Sequence, residues 1–278
     1  MFRATSTLQA MATTFKLNNG NTIPTLGLGT WLSKPHEVAN AVDIALRAGY
    51  KSIDCAQIYG NESEVGEGIK KSGVSRKDFF LTSKLWNNAH SPKYVEPALN
   101  KTLKDLGVDY LDLYLMHWPV SFKPGDNKFP KDSDGKAIVD STDFTETWKE
   151  MEKMVKNGKC KSIGISNFSK AETERLLKSA EIKPACHQLE MHPYLAQHDF
   201  LEWNKKQGIY LAAYSPLGNQ NDTYDKGKKY DKIIATEPVK KVAQKHGVDG
   251  GQVVLAWALS EVPPYCQSLS TRAASRAT

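Results

Sequence analysis

Three short apolar runs, each ending in ionisable residues, constrain this chain more than any other feature of it. Ser52-Ile53-Asp54-Cys55-Ala56-Gln57-Ile58-Tyr59-Gly60 leads into Asp54 and Tyr59, and Phe79-Phe80-Leu81-Thr82-Ser83-Lys84-Leu85-Trp86 leads into Lys84. Tyr110-Leu111-Asp112-Leu113-Tyr114-Leu115-Met116-His117-Trp118-Pro119 leads into His117. A short apolar run bounded by turn residues reads as a buried strand, and polar residues gathered at C-terminal strand ends mark where such folds place a site. The residue types fit one chemistry. A phenol, with a pKa of about 10, is a reluctant acid at neutral pH. A nearby lysine favours the phenolate and lowers that pKa, and a carboxylate beside the lysine keeps it charged and oriented. Asp54, Tyr59 and Lys84 can supply these parts, and His117 can donate a hydrogen bond to a substrate carbonyl or steer it. A single tyrosine or histidine at a strand end is usually packing; it is the combination that points to chemistry.

Strand and helix alternate around these runs. Phe15 to Ile23 forms two short alternating arms around Asn19-Gly20, a strong hairpin signal, and Leu26-Gly27-Leu28-Gly29-Thr30 follows as a strand whose glycines suit close approach to a ligand. Helices are predicted from Pro35 to Ala48, from Asn61 to Lys71 behind an Asn61-x-x-Glu64 cap, from Ser91-Pro92 to Leu106, and from Lys170 to Ser179 behind the capping box Ser169-x-x-Glu172. Further apolar runs begin near Ser162, Ala185 and Ile209. Alternating β and α units imply a parallel sheet, and 278 residues is within the usual size of one (β/α)8 barrel. The polar segment from Val120 to Thr142, directly after His117, is expected to be a loop over the pocket that governs substrate choice. Trp31, Trp86 and Trp118 are candidate pocket walls.

The order of Asp54 to Gly60, Ser83-Lys84-Leu85-Trp86, Leu115-Met116-His117-Trp118-Pro119 and Gly164-Ile165-Ser166-Asn167-Phe168 resembles that of the aldo-keto reductases, over roughly Ile23 to Leu259. The resemblance implies a TIM barrel plugged at its bottom by the N-terminal hairpin. It further implies a tetrad of Asp54, Tyr59, Lys84 and His117 that reduces carbonyls with NADPH. By the same resemblance Ser166, Asn167 and Gln188 hold the nicotinamide carboxamide, Tyr214 stacks on its ring, and Ser215 and Leu217 contact the pyrophosphate. Gly29 and Thr30 are placed beside the cofactor as well. Amide side chains and a flat aromatic at neighbouring strand ends suit a flat carboxamide ring on chemical grounds too. Within the family the loop and tetrad look like the monomeric aldehyde reductases and polyol dehydrogenases, such as glycerol dehydrogenases, more than the potassium-channel β subunits. The rival reading is a pseudoenzyme or binding protein that keeps the pocket without turnover.

Other classes fit poorly. The formal net charge of +6 is spread along helices such as Lys149 to Lys153, with neither a concentrated basic stripe nor a nucleic-acid motif. Leu32 stands where a dinucleotide fingerprint of the Rossmann type needs glycine. Cys55, Cys160, Cys186 and Cys266 have no paired spacing, and His187, His192 and His198 fit no metal-ligand spacing, so no metal is expected. No apolar run reaches spanning length. Residues 1–12 are read as a disordered extension with a faint transit-peptide composition, and the cytosol is the expected compartment.

After Leu259 the resemblance fails. The family continues with an eighth strand and a basic phosphate-binding motif, whereas this chain has Glu261-Val262-Pro263-Pro264-Tyr265 and then a Ser-, Ala- and Arg-rich stretch without apolar period. With codons that Tyr265 to Arg276 permit, a frame shifted by two nucleotides reads Leu-Pro-Lys-Ser-Val-Asn-Pro-Ser-Arg-Ile-Lys, which is the missing motif. The expectation is a barrel over 13–259 that has lost its eighth β/α unit, with 260–278 as a frame-shifted tail.

Overall fold

An antiparallel hairpin opens the described part of the chain: β1 (Thr14–Lys16) and β2 (Thr22–Pro24), with Phe15 opposite Ile23. The turn is closed by Gly20 at φ 88°, a left-handed conformation that costs glycine little. Leu17 and Ile23 are buried against Phe80, Leu113, Ala185 and Tyr210, residues that begin or precede barrel strands. The amides of Asn18, Asn19 and Asn21 tie the turn to the Pro184 carbonyl at 2.8 Å, the Ser162 hydroxyl at 2.9 Å and the Lys161 carbonyl at 3.0 Å. The hairpin therefore plugs the end of the barrel opposite the ionisable residues. Residues 14–33, 36–218, 232–261 and 267–270 are described in this computed structural model.

The barrel strands follow with helices between them. β3 (Leu26–Gly29), α1 (Val38–Arg47), β4 (Ser52–Asp54) and α2 (Glu62–Ser72) make the first two units. β5 (Phe80–Leu85), α3 (Pro92–Leu106), β6 (Leu113–Met116) and α4 (Phe144–Lys156) make the next two. Then come β7 (Ile163–Ser166), α5 (Lys170–Leu177), β8 (Cys186–Glu190), α6 (His198–Lys206) and β9 (Tyr210–Tyr214). The chain continues through α7 (Glu237–His246), α8 (Gly250–Glu261) and β10 (Gln267–Ser270). All barrel pairings are parallel, and the strands close in the order β10-β3-β4-β5-β6-β7-β8-β9. The barrel strands are covered on both faces, as β5 shows with every residue buried, Thr82, Ser83 and Lys84 included. The main core lies between barrel and helices, where Val38, Val42 and Leu46 of α1, Leu99 and Leu106 of α3, and Trp148 and Met151 of α4 meet Leu81 and Ile163.

Two expectations are corrected. The eighth strand is not missing: Gln267–Ser270 pairs in register with Leu26–Gly29 on one side, and Gln267 pairs with Ala213 on the other. Parallel pairing uses backbone N–H and C=O groups, which an open edge would leave unpaired, and Gln-Ser-Leu-Ser contains no proline. Pro263 and Pro264 precede the strand in sequence and do not interrupt it. Of the segment 260–278 expected to be a frame-shifted tail, residues 262–266, Cys266 among them, and 271–278 lie outside the described residues, as does the extension 1–12. The second correction concerns α2. Asn61 makes no side-chain cap; its amide donates instead to the Thr30 carbonyl at 2.8 Å, and the Glu64 carboxylate accepts from the His36 backbone at 2.7 Å. Tertiary partners on the neighbouring loop have replaced the local cap. The box at Ser169 and Glu172 is formed as predicted.

Candidate active site

β4 and β5 bring the first ionisable pair together, because Asp54 pairs with Thr82 and Lys84 stands two residues further along the same face. Lys84 is fully buried, with Nζ donating to Asp54 Oδ1 at 2.6 Å, to the Cys55 carbonyl at 2.8 Å and to the Tyr59 hydroxyl at 3.4 Å. A buried ammonium is costly without partners, and here all its donors have them. Burial alone would depress the Lys84 pKa, but Asp54 and Tyr59 outweigh it and hold the amine charged well above its ordinary value. Tyr59 sits in the single turn Gln57–Tyr59, ended by Gly60 in the left-handed region. Burial raises its pKa, Lys84 lowers it, Asp54 raises it, and the net direction is upward. Lys84 lowers the value as expected, but it offsets desolvation without overcoming it. The phenol is protonated at neutral pH, the form a general acid needs.

His117 follows β6, its backbone N–H donating to the Leu85 carbonyl at 3.1 Å. Its ring meets Tyr59 edge-on at 6.0 Å and Trp86 at 5.2 Å between centroids. Burial, together with the charge of Lys84 and the nearby His90, pushes its pKa well below the ordinary histidine value, so the ring is neutral. Nδ1 is buried and has no partner among the described residues, which leaves Nε2 as the nitrogen that can face a ligand.

Towards the ends of β7, β8 and β9 stand the uncharged groups Ser166, Asn167, Gln188 and Tyr214, with Glu190 closing β8 beside His192. Ser166 donates to the Gln188 carbonyl at 2.9 Å, and Asn167, at φ 61°, donates from its amide to the His117 carbonyl at 3.0 Å. Tyr214 donates from its hydroxyl to Asn167 Oδ1 at 2.9 Å. Gln188 donates from Nε2 to Asp54 Oδ2 at 3.1 Å, so it touches the charged cluster directly. Ser215, at φ 49°, begins the turn through Leu217 that the Gly218 N–H closes onto the Ser215 carbonyl at 2.9 Å. Gly29 lies at the end of β3. Thr30 is buried, and its hydroxyl donates to the Asp54 carbonyl at 3.1 Å, so it braces the end of β4 from behind and offers no surface to a ligand.

Of the three tryptophans, Trp86 is mostly buried and packs on His117 and, at 5.4 Å, on Phe129 of the long loop. Trp118 is 40% exposed, and Trp31 is half-buried after β3. Two residues near the site carried no recognisable sequence signal. Glu62, buried behind β5, accepts from Ser83 at 2.6 Å and Thr102 at 3.1 Å, and burial raises its pKa. Lys128, from the middle of the polar loop, reaches the turn that carries Tyr59. Among the described residues no cluster of His, Cys, Asp or Glu could hold a metal, and no helix is long and apolar enough to cross a membrane.

Residues 25–274 match the model of the aldo/keto reductase family. An uncharacterized oxidoreductase of Schizosaccharomyces pombe is 54% identical over 248 residues, covering 88% of this chain and 77% of that protein. Aldo-keto reductase family 1 member A1 of Xenopus tropicalis is 49% identical over 247 residues, covering 87% of this chain and 75% of its own. Among solved structures, the aldose reductase from Schistosoma japonicum superposes with a TM-score of 0.85 at 39% identity, covering 94% of this chain and 84% of that one.

Proposed function

Because the chain belongs to the aldo/keto reductase family, we propose that it is an NADPH-dependent oxidoreductase that reduces aldehydes and ketones to alcohols and can run the reverse oxidation. The observation that carries this reading is the buried Lys84 ammonium, held between Asp54 and the protonated Tyr59 at the mouth of the barrel.

The residues present suit the nicotinamide cofactor. Asn167 and Ser166 spend their donors on each other and on the His117 and Gln188 carbonyls and would turn one of them to a bound carboxamide, Gln188 uses Nε2 on Asp54 and keeps its Oε1 as an acceptor, and Tyr214 is fixed through its hydroxyl beside them. Those groups match a carboxamide with one acceptor and one donor next to a flat ring. When bound, the cofactor supplies the hydride. Tyr59 donates its proton to the substrate oxygen, and Lys84 stabilises the phenolate that remains. Asp54 keeps Lys84 charged and aimed, and neutral His117 orients the oxygen through Nε2. In the oxidation the Tyr59 phenolate takes the alcohol proton back. Small carbonyl compounds or alcohols, glycerol and other polyols among them, are the proposed substrates of a monomeric cytosolic enzyme.

A binding protein or pseudoenzyme is the second reading. It is favoured by one observation: the sequence after Leu259 lacks the Lys-Ser-Arg motif that the family resemblance assigns to the adenosine phosphate. We read 260–278 as frame-shifted; sequencing the transcript across Ser260 tests this, and an unbroken frame would refute it. Incubating the purified chain with NADPH and a panel of aliphatic and aromatic aldehydes separates the two readings. Aldehyde-dependent loss of NADPH supports the enzyme; quenching of NADPH fluorescence without turnover supports the binder.

A further inference from the structure

The long loop after His117 is a self-contained unit. Phe122 bridges Val139 and Lys131 bridges Ala137, while the Ile138 N–H donates to the Pro130 carbonyl at 2.9 Å. Several ties bind this unit to the barrel mouth. The Phe122 N–H donates to the Asn87 carbonyl at 2.9 Å, the Asn88 amide to the Gly125 carbonyl at 2.6 Å, and the Trp86 indole N–H to the Lys128 carbonyl at 2.8 Å. All three reach the segment that follows β5. The Lys128 ammonium crosses to the other side and donates to the Gln57 carbonyl at 2.8 Å, in the turn that ends at Tyr59. One residue thus bonds to both walls of the site, by its carbonyl to Trp86 and by its side chain to the Tyr59 turn.

We propose that Lys128 is a positioning and specificity-determining residue, which clamps the loop between Trp86 and the Tyr59 turn and so fixes the distance between the apolar wall and the proton donor. Its substrate consequence rests on the carbonyl-reductase reading given above. Phe129, the next residue, lies 5.4 Å from Trp86, and Trp86 lies 5.2 Å from His117, so the clamp sets how far an aromatic wall stands from the reacting carbonyl. A bulky aldehyde spans that distance; a two-carbon aldehyde does not. A lysine suits the task because its ammonium makes a charge-assisted bond to a carbonyl from a half-buried position. Partial burial lowers the Lys128 pKa, while Glu62 acts in the opposite sense and favours the charge.

Lys128→Met removes the ammonium and keeps the carbonyl that holds Trp86, and Lys128→Arg restores a donor of similar reach. The first readout is amide hydrogen exchange in the full chain without substrate or cofactor. In the Met variant the Tyr59 and Gly60 amides, which close the turn onto the Ala56 and Gln57 carbonyls, should exchange about tenfold faster, as expected on losing one charge-assisted bond, and Arg should recover most of the protection. The second readout is the split between KM and kcat. In the Met variant KM for an aromatic aldehyde should rise about tenfold with kcat nearly unchanged, while KM for a two-carbon aldehyde stays within about twofold. Unchanged exchange at Tyr59 and Gly60 would overturn the clamp, and an equal KM change for both aldehydes would overturn the specificity role. A wild-type chain inactive toward every aldehyde would remove the proposed function and the specificity role with it, while exchange would still decide the clamp.

Discussion

At the ends of β4, β5 and β6 the barrel mouth carries Asp54, Tyr59, Lys84 and His117, whereas at the ends of β7, β8 and β9 it carries Ser166, Asn167, Gln188 and Tyr214. The first half contains a buried ion pair, a phenol and an imidazole whose protonation is set by burial and by one another. The second half is held mainly by neutral hydrogen bonds, from amides, a serine and a tyrosine. Two bonds join them, Gln188 to Asp54 and Asn167 to the His117 carbonyl. The difference matches the proposed function, in which one side moves a proton and the other holds a flat carboxamide ring, and on that proposal damage to the two sides should separate in experiment.

Lys84→Met should do the most harm, and on the first side only. It leaves Asp54 buried without its partner, at about 3–5 kcal/mol in stability, and turnover should fall by about 100-fold or more. Denaturant midpoints and single-turnover rates check both parts. Acid should loosen both sides, because buried histidines lie in each: burial holds His90 down at about 3, and holds His187 at about 4 against a weaker upward pull from Asn204. Both folded values are depressed below the ordinary 6.5. Their stabilisation is therefore complete above that value and is lost as pH falls towards 4 and then 3, because the unfolded chain takes up the protons first. Urea midpoints should drop steeply across that window. Asn167→Ala belongs to the second side. It should weaken NADPH binding by up to about tenfold, through the lost ties to Tyr214 and the His117 carbonyl, with turnover at saturation changed only a few-fold. Glu172→Ala lies behind that side, in the capping box of α5, and should cost about 1 kcal/mol in stability with activity unchanged.

The first side was legible in the sequence because its residue types are chemically telling: an Asp, a Tyr, a Lys and a His at successive strand ends have few joint explanations. The second side depended on resemblance, since Ser, Asn and Gln after an apolar run are equally at home in turns. Lys128 was not legible, because a lysine in a polar loop belongs to no period and no motif, and its partner Gln57 is distant in sequence. The upward shift of Tyr59 was missed because desolvation depends on how deeply the turn is buried, which spacing does not reveal. β10 was missed for a different reason. Its pairing with Leu26–Gly29 is made by backbone groups, so Gln267–Ser270 can close the sheet without the apolar pattern by which strands are read.

Tyr59→Phe tests the separation of the two sides most directly, since it removes one hydroxyl and keeps the ring that packs against His117. NADPH fluorescence quenching and aldehyde turnover should be measured on the same preparations of both chains. The Phe chain should bind NADPH with unchanged affinity and lose turnover by about two orders of magnitude or more. Turnover at the parental rate would contradict the assignment of Tyr59 as the proton donor, and a parallel loss of NADPH binding would contradict the division of the barrel mouth into a side that moves the proton and a side that holds the cofactor.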